Sequence, residues 1–111
     1  MENNFTQKSM EAISEAHNFA IRYKHSDMKV EHLLLALIGQ MNGLIPNLLK
    51  KMGIDTVDLM KKLEEKLDRM PKIEGGVSDP RPNAEMNRVL IGAEDYAKKM
   101  EDAYISTEHL F

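Results

Sequence analysis

The tripeptide Glu31-His32-Leu33 returns 77 residues later as Glu108-His109-Leu110, and no other feature limits the fold of this 111-residue chain as strongly. The same offset pairs Ala16 with Ala93, Ala20 with Ala97, Phe19 with Tyr96, Arg22 with Lys99 and Met28 with Ile105. Each copy reads as an alanine-bearing amphipathic helix, a short extended link, and a second helix opened by Glu-His-Leu. One such unit cannot cover its own apolar face, so two copies imply units packed against each other.

The first copy has clear punctuation. Thr6 is a good N-cap, because its hydroxyl can accept a backbone N–H that has no helical partner. Phe5 and Met10 flank it with the spacing of a hydrophobic staple. Met10, Ile13, Ala16, Ala20 and Tyr23 then recur at helical spacing, and the small alanines allow another helix to approach closely. This helix is expected to fray near Lys24 and His25, with Ser26 to Lys29 extended. Glu31 to Ile38 is apolar nearly all round and is expected to be the central buried helix, its acidic residue in the dipole-favoured first turn.

Gly39 to Gly43 breaks the chain, and a short helix is expected from about Leu44 to Met52, with Pro46 tolerated in its first turn and Gly53 as its stop. Asp55 caps the next helix, with Asp58 near a capping-box position and Ile54 and Leu59 as a second staple. Leu59, Met60, Leu63, Leu67 and Met70 form its apolar stripe, and the charge run around them reads as a solvated face. Pro71 ends it. Residues 71–82 carry three Pro and two Gly and form the linker between the units. Asn83 caps the second-copy helix, whose stripe is Met86, Val89, Leu90, Ala93, Ala97 and Met100. Residues 101–105 mirror the first link, and Ser106-Thr107-Glu108-His109 opens the last helix. The expected organisation is repeat one at about 5–70, a linker at 71–82 and a partial repeat two at 83–111. Thirty-six residues follow Leu34 up to Met70 and none follows Phe111, so the second repeat is expected to be truncated and its final turn weakly ordered or held by another molecule.

Composition narrows the chemistry. Aromatics are 5% of the chain and Trp is absent, so the core must be aliphatic, which suits packed helices. The nine Met are mostly core filling, with a share free to form an adaptable apolar surface. A net charge of −3 argues against a nucleic-acid binder, which needs a basic face. The absence of Cys removes disulfides, thiolate metal sites and a Cys nucleophile, and fits the cytosol. No signal-peptide core follows Met1, and the run Leu33 to Ile38 is far too short for a membrane span. The adjacent Glu-His pairs point in different directions around a helix and do not form H-E-x-x-H, so a local structural role for the histidines is expected rather than a metal site. No spacing points to a nucleophile–His–carboxylate triad, and no glycine-rich phosphate loop occurs. A compact helical recognition module is what remains.

Four stretches carry a resemblance: Phe5-Thr6 with the Ala-bearing helix after it; Glu31-His32-Leu33-Leu34-Leu35-Ala36-Leu37; Leu48-Leu49 with Met52-Gly53-Ile54; and Tyr104-Ile105-Ser106-Thr107-Glu108-His109-Leu110. Together, over Phe5 to Phe111, they resemble the N-terminal repeat domain of the Clp ATPases, the AAA+ protein unfoldases. The resemblance implies an all-α, double Clp N-domain of two pseudo-symmetric helical repeats. Arg69-Met70-Pro71-Lys72-Ile73-Glu74-Gly75 and Asn87-Arg88-Val89-Leu90 look most like the ClpB disaggregase branch, while the doubled Glu-His-Leu is equally typical of the ClpC branch.

The ClpB resemblance implies a non-catalytic substrate-recognition domain that captures exposed hydrophobic segments of unfolded or aggregated proteins during stress. Its parent would be a cytoplasmic homohexamer, with ATP and Mg bound only in separate ATPase modules; the chain alone would be monomeric and without cofactor. Thr6, Asp102 and Glu108 match the family's substrate-engaging positions, although Thr6 and Glu108 are equally good helix-start residues and Asp102 an ordinary link residue. The ClpC/ClpA alternative would give Glu31 and Glu108 a phosphoarginine-binding role and would add adaptor proteins as partners. A purely structural module is the third reading. The expected mechanism is a shallow apolar groove between the repeats, rimmed by acidic residues, in which Met accommodates varied clients.

Overall fold

A computed structural model describes residues 5–40, 43–73, 80–100 and 107–110, with the Glu108 side chain outside that description. Among the described residues, six helices and two two-residue strands follow in the order α1 (Gln7–Arg22), β1 (Asp27–Met28), α2 (Val30–Ile38), α3 (Leu44–Lys51), α4 (Thr56–Arg69), β2 (Arg81–Pro82), α5 (Ala84–Lys99) and α6 (Thr107–Leu110).

The caps set these boundaries. The Thr6 hydroxyl accepts from the Ser9 N–H at 3.2 Å, the Asp55 carboxylate from the Val57 and Asp58 N–H groups at 3.1 and 3.2 Å, and the Asn83 side-chain oxygen from Met86 N–H at 2.8 Å. Each satisfies donors that the first helical turn leaves open. The α1 and α5 helices are both sixteen residues long, and α5 starts and ends 77 positions after α1. At the expected capping box, Asp58 instead pairs with Lys62 at 3.1 Å, one turn along the solvent face of α4.

Helix α1 does not fray at its end. The His25 N–H donates to the Ala20 carbonyl at 2.9 Å and the Lys24 N–H to Ile21 at 3.0 Å, a Schellman closure. It requires Lys24 to sit at φ 57°, a left-handed conformation costly for a residue with a Cβ. The same closure after α3 uses Gly53 at φ 79°, where no side chain opposes it.

The core is aliphatic, as the composition requires. Ala12, Ala16 and Ala20 are buried in a small-residue stripe on α1, which lets α2 lie close beside it. Helix α2 is the centre of the fold. It packs against α1, α3, α4 and α5, and Leu33, Leu35, Ala36, Leu37 and Ile38 are all buried. From the other elements, Ile45, Leu49, Leu63, Leu67, Met86, Ala93, Ala97 and Leu110 complete the core. Two methionines depart from the expected stripes, Met10 at 59% and Met100 at 58% exposed. Both lie near helix ends, where the stripe runs past its covering neighbour.

The segment after α4 is tied down at both ends of the described chain. Ile73 N–H donates to the Lys24 carbonyl at 2.7 Å. Beyond it, β2 pairs in parallel with β1, Asp27 opposite Arg81 and Met28 opposite Pro82. The expected linker thus returns to the joint between α1 and α2. The expectations for residues 101–106 and for the order of Phe111 lie outside the described residues.

Candidate functional site

Two grooves lie where elements of the first half meet elements of the second. The larger, of about 570 Å³, has a floor from α2 (Val30, Leu33, Leu34, Leu37), walls from α4 (Leu63) and α5 (Val89), and an end at Leu110 of α6. Its polar groups are Glu31, Lys66 and Glu85. The smaller, of about 370 Å³, is lined by Phe5, Met10, Ile13 and Ser14 at the start of α1 and by Leu90 of α5.

The helical period explains why Glu31 faces the larger groove. On α2, Leu34 lies three residues beyond Glu31 and shares its side, with Val30, Leu33 and Leu37 lining the groove from adjoining positions, whereas His32 is fully buried. Lys66 reaches across from α4 and holds the Glu31 carboxylate at 3.0 Å. Burial alone would raise the Glu31 pKa; hydrogen bonds from Lys66 and from its own backbone, with the nearby Lys66 and Lys29 charges, outweigh it and hold the carboxyl below its ordinary range. Glu31 is therefore ionised and paired. Among the described residues the rim carries Lys66 beside the acidic Glu31 and Glu85, because one lysine of the α4 charge run crosses to α2. Nothing in the sequence distinguishes Lys66 from Lys61 or Lys62 in that role, and Glu85 gave no signal beyond its first-turn position.

Thr6 and Glu31, which belong to the two alternative sets of expected site residues, lie at different grooves. Thr6 is half-buried and caps α1, and its hydroxyl also donates to Ser9 Oγ at 3.1 Å. Its neighbour Phe5 lines the smaller groove. Glu31 lines the larger one, and the two grooves share no residue. Asp102 and the side chain of Glu108 lie outside the described residues.

Beside the larger groove is a feature that periodicity could not reveal. His25 and His32 are both fully buried. His25 Nδ1 and His32 Nε2 are 2.7 Å apart, His32 Nδ1 accepts from the Lys29 N–H at 2.8 Å, and His25 Nε2 lies 3.0 Å from the Leu67 carbonyl. The backbone groups at the two ends fix the tautomers. Lys29 N–H can only donate, so His32 carries its proton on Nε2. The Leu67 carbonyl can only accept, so His25 carries its proton on Nε2 and accepts at Nδ1. Both rings are neutral. Burial is the main cause that drives the His32 pKa down to about 4, and burial also lowers that of His25 against the pull of its Leu67 hydrogen bond. This is the local structural role expected for the histidines. Its only sequence signal was two His bracketing an extended link.

Residues 4–111 match the family model described as the Clp repeat (R) N-terminal domain. Among curated proteins, the chain is 38% identical over 110 residues to the chaperone protein ClpB of Nitratidesulfovibrio vulgaris, covering 96% of this chain and 13% of that protein. It is 37% identical over 111 residues to the chaperone protein ClpB of Clostridium perfringens, covering 95% and 12%. The chain thus spans about an eighth of the curated relatives it matches. Among solved structures, the Hsp104 N-terminal domain from Candida albicans superposes with a TM-score of 0.88 at 22% identity, over 98% of this chain and 71% of that one. A ClpV N-domain in complex with a VipB peptide superposes with a TM-score of 0.82 at 18% identity, over 97% and 65%. At these identities the structures establish the fold.

Proposed function

The chain belongs to the Clp repeat N-terminal domain family, and from that premise we propose that it is the substrate-recognition domain of a ClpB-type chaperone, capturing exposed hydrophobic segments of unfolded or aggregated proteins. The observation that carries this reading is the larger groove, open, mostly apolar and about 570 Å³ in volume. An extended client segment would bury alternate side chains against Leu34, Leu37, Leu63 and Val89, and Glu31, Lys66 and Glu85 would meet its polar groups. Affinity would be weak, since a flexible client loses conformational freedom on binding. The binding of a VipB peptide by a ClpV N-domain supports peptide capture as a use of this fold. In this reading the domain is non-catalytic and cytoplasmic, monomeric alone, and part of a hexamer whose separate modules hold ATP and Mg. Repeat one covers about 5–70, the linker 71–82 and a partial repeat 83–111. Among the described residues no helix is long and apolar enough to cross a membrane.

A titration of the ¹⁵N-labelled chain with a permanently unfolded client, such as reduced and carboxymethylated lactalbumin, tests the proposal. Shifts should cluster at Val30, Leu34, Lys66 and Val89, and Val89→Asp should weaken binding several-fold while leaving the fold intact. Shifts confined to Phe5, Thr6, Met10 and Leu90 would move the site to the smaller groove and give Thr6 its engaging role. No shifts at all would leave a purely structural module.

Glu31 favours a second reading, in which the chain is of the ClpC/ClpA type and binds adaptors or phosphoarginine-tagged clients. Its carboxylate and the Lys66 ammonium stand together in the groove and could divide a guanidinium and its phosphate between them. Free phosphoarginine should then shift Glu31 and Lys66, and Glu31→Ala should abolish the effect.

A further inference from the structure

The His25–His32 pair joins three elements: the end of α1, the start of α2 and, through the Leu67 carbonyl, the last turn of α4. All of its hydrogen bonds are satisfied only when the pair carries two ring protons. A third proton has no acceptable position. On His32 Nδ1 it faces the Lys29 N–H. On His25 Nδ1 it faces the His32 Nε2–H. Shifting the shared proton merely moves the clash to the other end. Each arrangement sets donor against donor in a site closed to water, where an unpaired buried donor is costly.

We propose that this pair is an acid-released latch: uptake of one proton breaks its contact at His25–His32 or at His32–Lys29, while His25 keeps its bond to the Leu67 carbonyl, and so loosens the start of α2 from the end of α1 and the last turn of α4, deforming the larger groove, to which α2 contributes Val30 and Glu31. The link to client capture rests on the function proposed above; the latch itself does not.

The surrounding charges set the direction. On the α1 side the Tyr23 ring stacks on His25, with centroids 5.7 Å apart. Burial, Lys29 in the link and Lys72 beyond α4 disfavour a charged His25, and the Leu67 carbonyl and Glu31 of α2 favour it. Lys29 and the neighbouring ring oppose a charge on His32, with Glu31 again on the other side. Glu64 and Asp68 of α4 face Tyr23 rather than the rings. Burial and the lysines together outweigh Glu31, so both rings stay neutral at neutral pH. The working range lies between the ordinary imidazole value of 6.5 and about 4.

Amide hydrogen exchange on the free chain, corrected for intrinsic rates, tests the latch across that range. The opening constant for Lys29, His32 and Leu33 should rise by up to about tenfold per pH unit once one proton is coupled to opening, while Ala16 and Leu35 stay protected. The ¹⁵N shifts of the His32 ring should report a neutral imidazole in the closed state. The double variant His25→Gln with His32→Gln, in which neither position titrates, should flatten the slope. A pH-independent start of α2, simultaneous opening of Ala16 and Leu35, or a charged His32 ring in the closed state would each overturn the latch. Titration with the unfolded lactalbumin at both ends of the range then tests the coupling. Binding that weakens as the start of α2 opens supports it, and binding indifferent to pH overturns it. Absence of binding at every pH, with the start of α2 still opening, defeats the proposed function and the coupling together while the latch stands.

Discussion

The two Glu-His-Leu joints share a tripeptide and differ in what surrounds it. His32 is fully buried and hydrogen-bonded at both ring nitrogens. His109 is half-buried, its ring 5.9 Å from that of Tyr96 and tilted by 54°. The residue seven places earlier also differs: His25 precedes His32, whereas Asp102 precedes His109. A His partner makes the first joint a neutral pair that rejects protons. The same tripeptide thus has a buried ring in one joint and a half-buried ring in the other.

The largest contrast should come from the leucine that follows each histidine. Leu33 and Leu110 are 2% and 5% exposed. Leu33→Ala should cost about 2–5 kcal/mol, because α2 is packed on several sides and cannot close the cavity. Leu110→Ala should cost less, since the four-residue α6 can shift to fill it. Equal losses in denaturant melts would mean that the second joint is as rigid as the first.

The histidines should separate in the same way. His32→Ala leaves the Lys29 N–H and His25 Nδ1 without partners, at about 1–3 kcal/mol each. His109→Ala should stay below about 1 kcal/mol, as expected for a half-buried side chain.

The pH dependence has a definite sign. A histidine held below its unfolded pKa contributes stability in full above 6.5 and loses it as the pH falls toward about 4, because the unfolded chain takes up the proton first. For His32 the loss should approach roughly 3 kcal/mol. Comparing melts of the native chain and His32→Gln over this range isolates it; parallel curves would remove His32 as the cause.

Smaller effects test the helix ends. Thr6→Ala and Asn83→Ala should each cost about 0.5–2 kcal/mol as lost caps. Client binding by Thr6→Ala that falls further than this loss explains would add a binding role to the cap. Lys24→Gly should stabilise by at most about 1 kcal/mol, relieving the left-handed strain against the extra flexibility of Gly. A loss there would show that the Lys24 side chain contributes more than the strain costs.

Much of the fold could be read from the chain. Thr6, Asp55 and Asn83 announced their helices because a cap is a local hydrogen bond between residues two or three apart. Gly53 and Pro71 announced ends for equally local steric reasons. The alanine stripe and the apolar α2 disclosed the core through their period. The end of α1 was misread as fraying because its stop is a lysine in a conformation that normally signals itself with Gly. The groove was legible as an idea but the lysine at its rim was not, since the position of Lys66 over α2 depends on how two helices cross.

The sequence by itself determined the helices, their caps, the central place of α2 and the family, because these rest on interactions within a few residues or on motifs written in order. Only the tertiary structure decided which His-Leu joint is sealed, which lysine meets Glu31, and that His25, His32 and the Leu67 carbonyl form one chain of hydrogen bonds. His25 and Leu67 are 42 residues apart, and no local rule orients two buried rings toward a carbonyl across that distance. Packing orients them, and desolvation then fixes their charge.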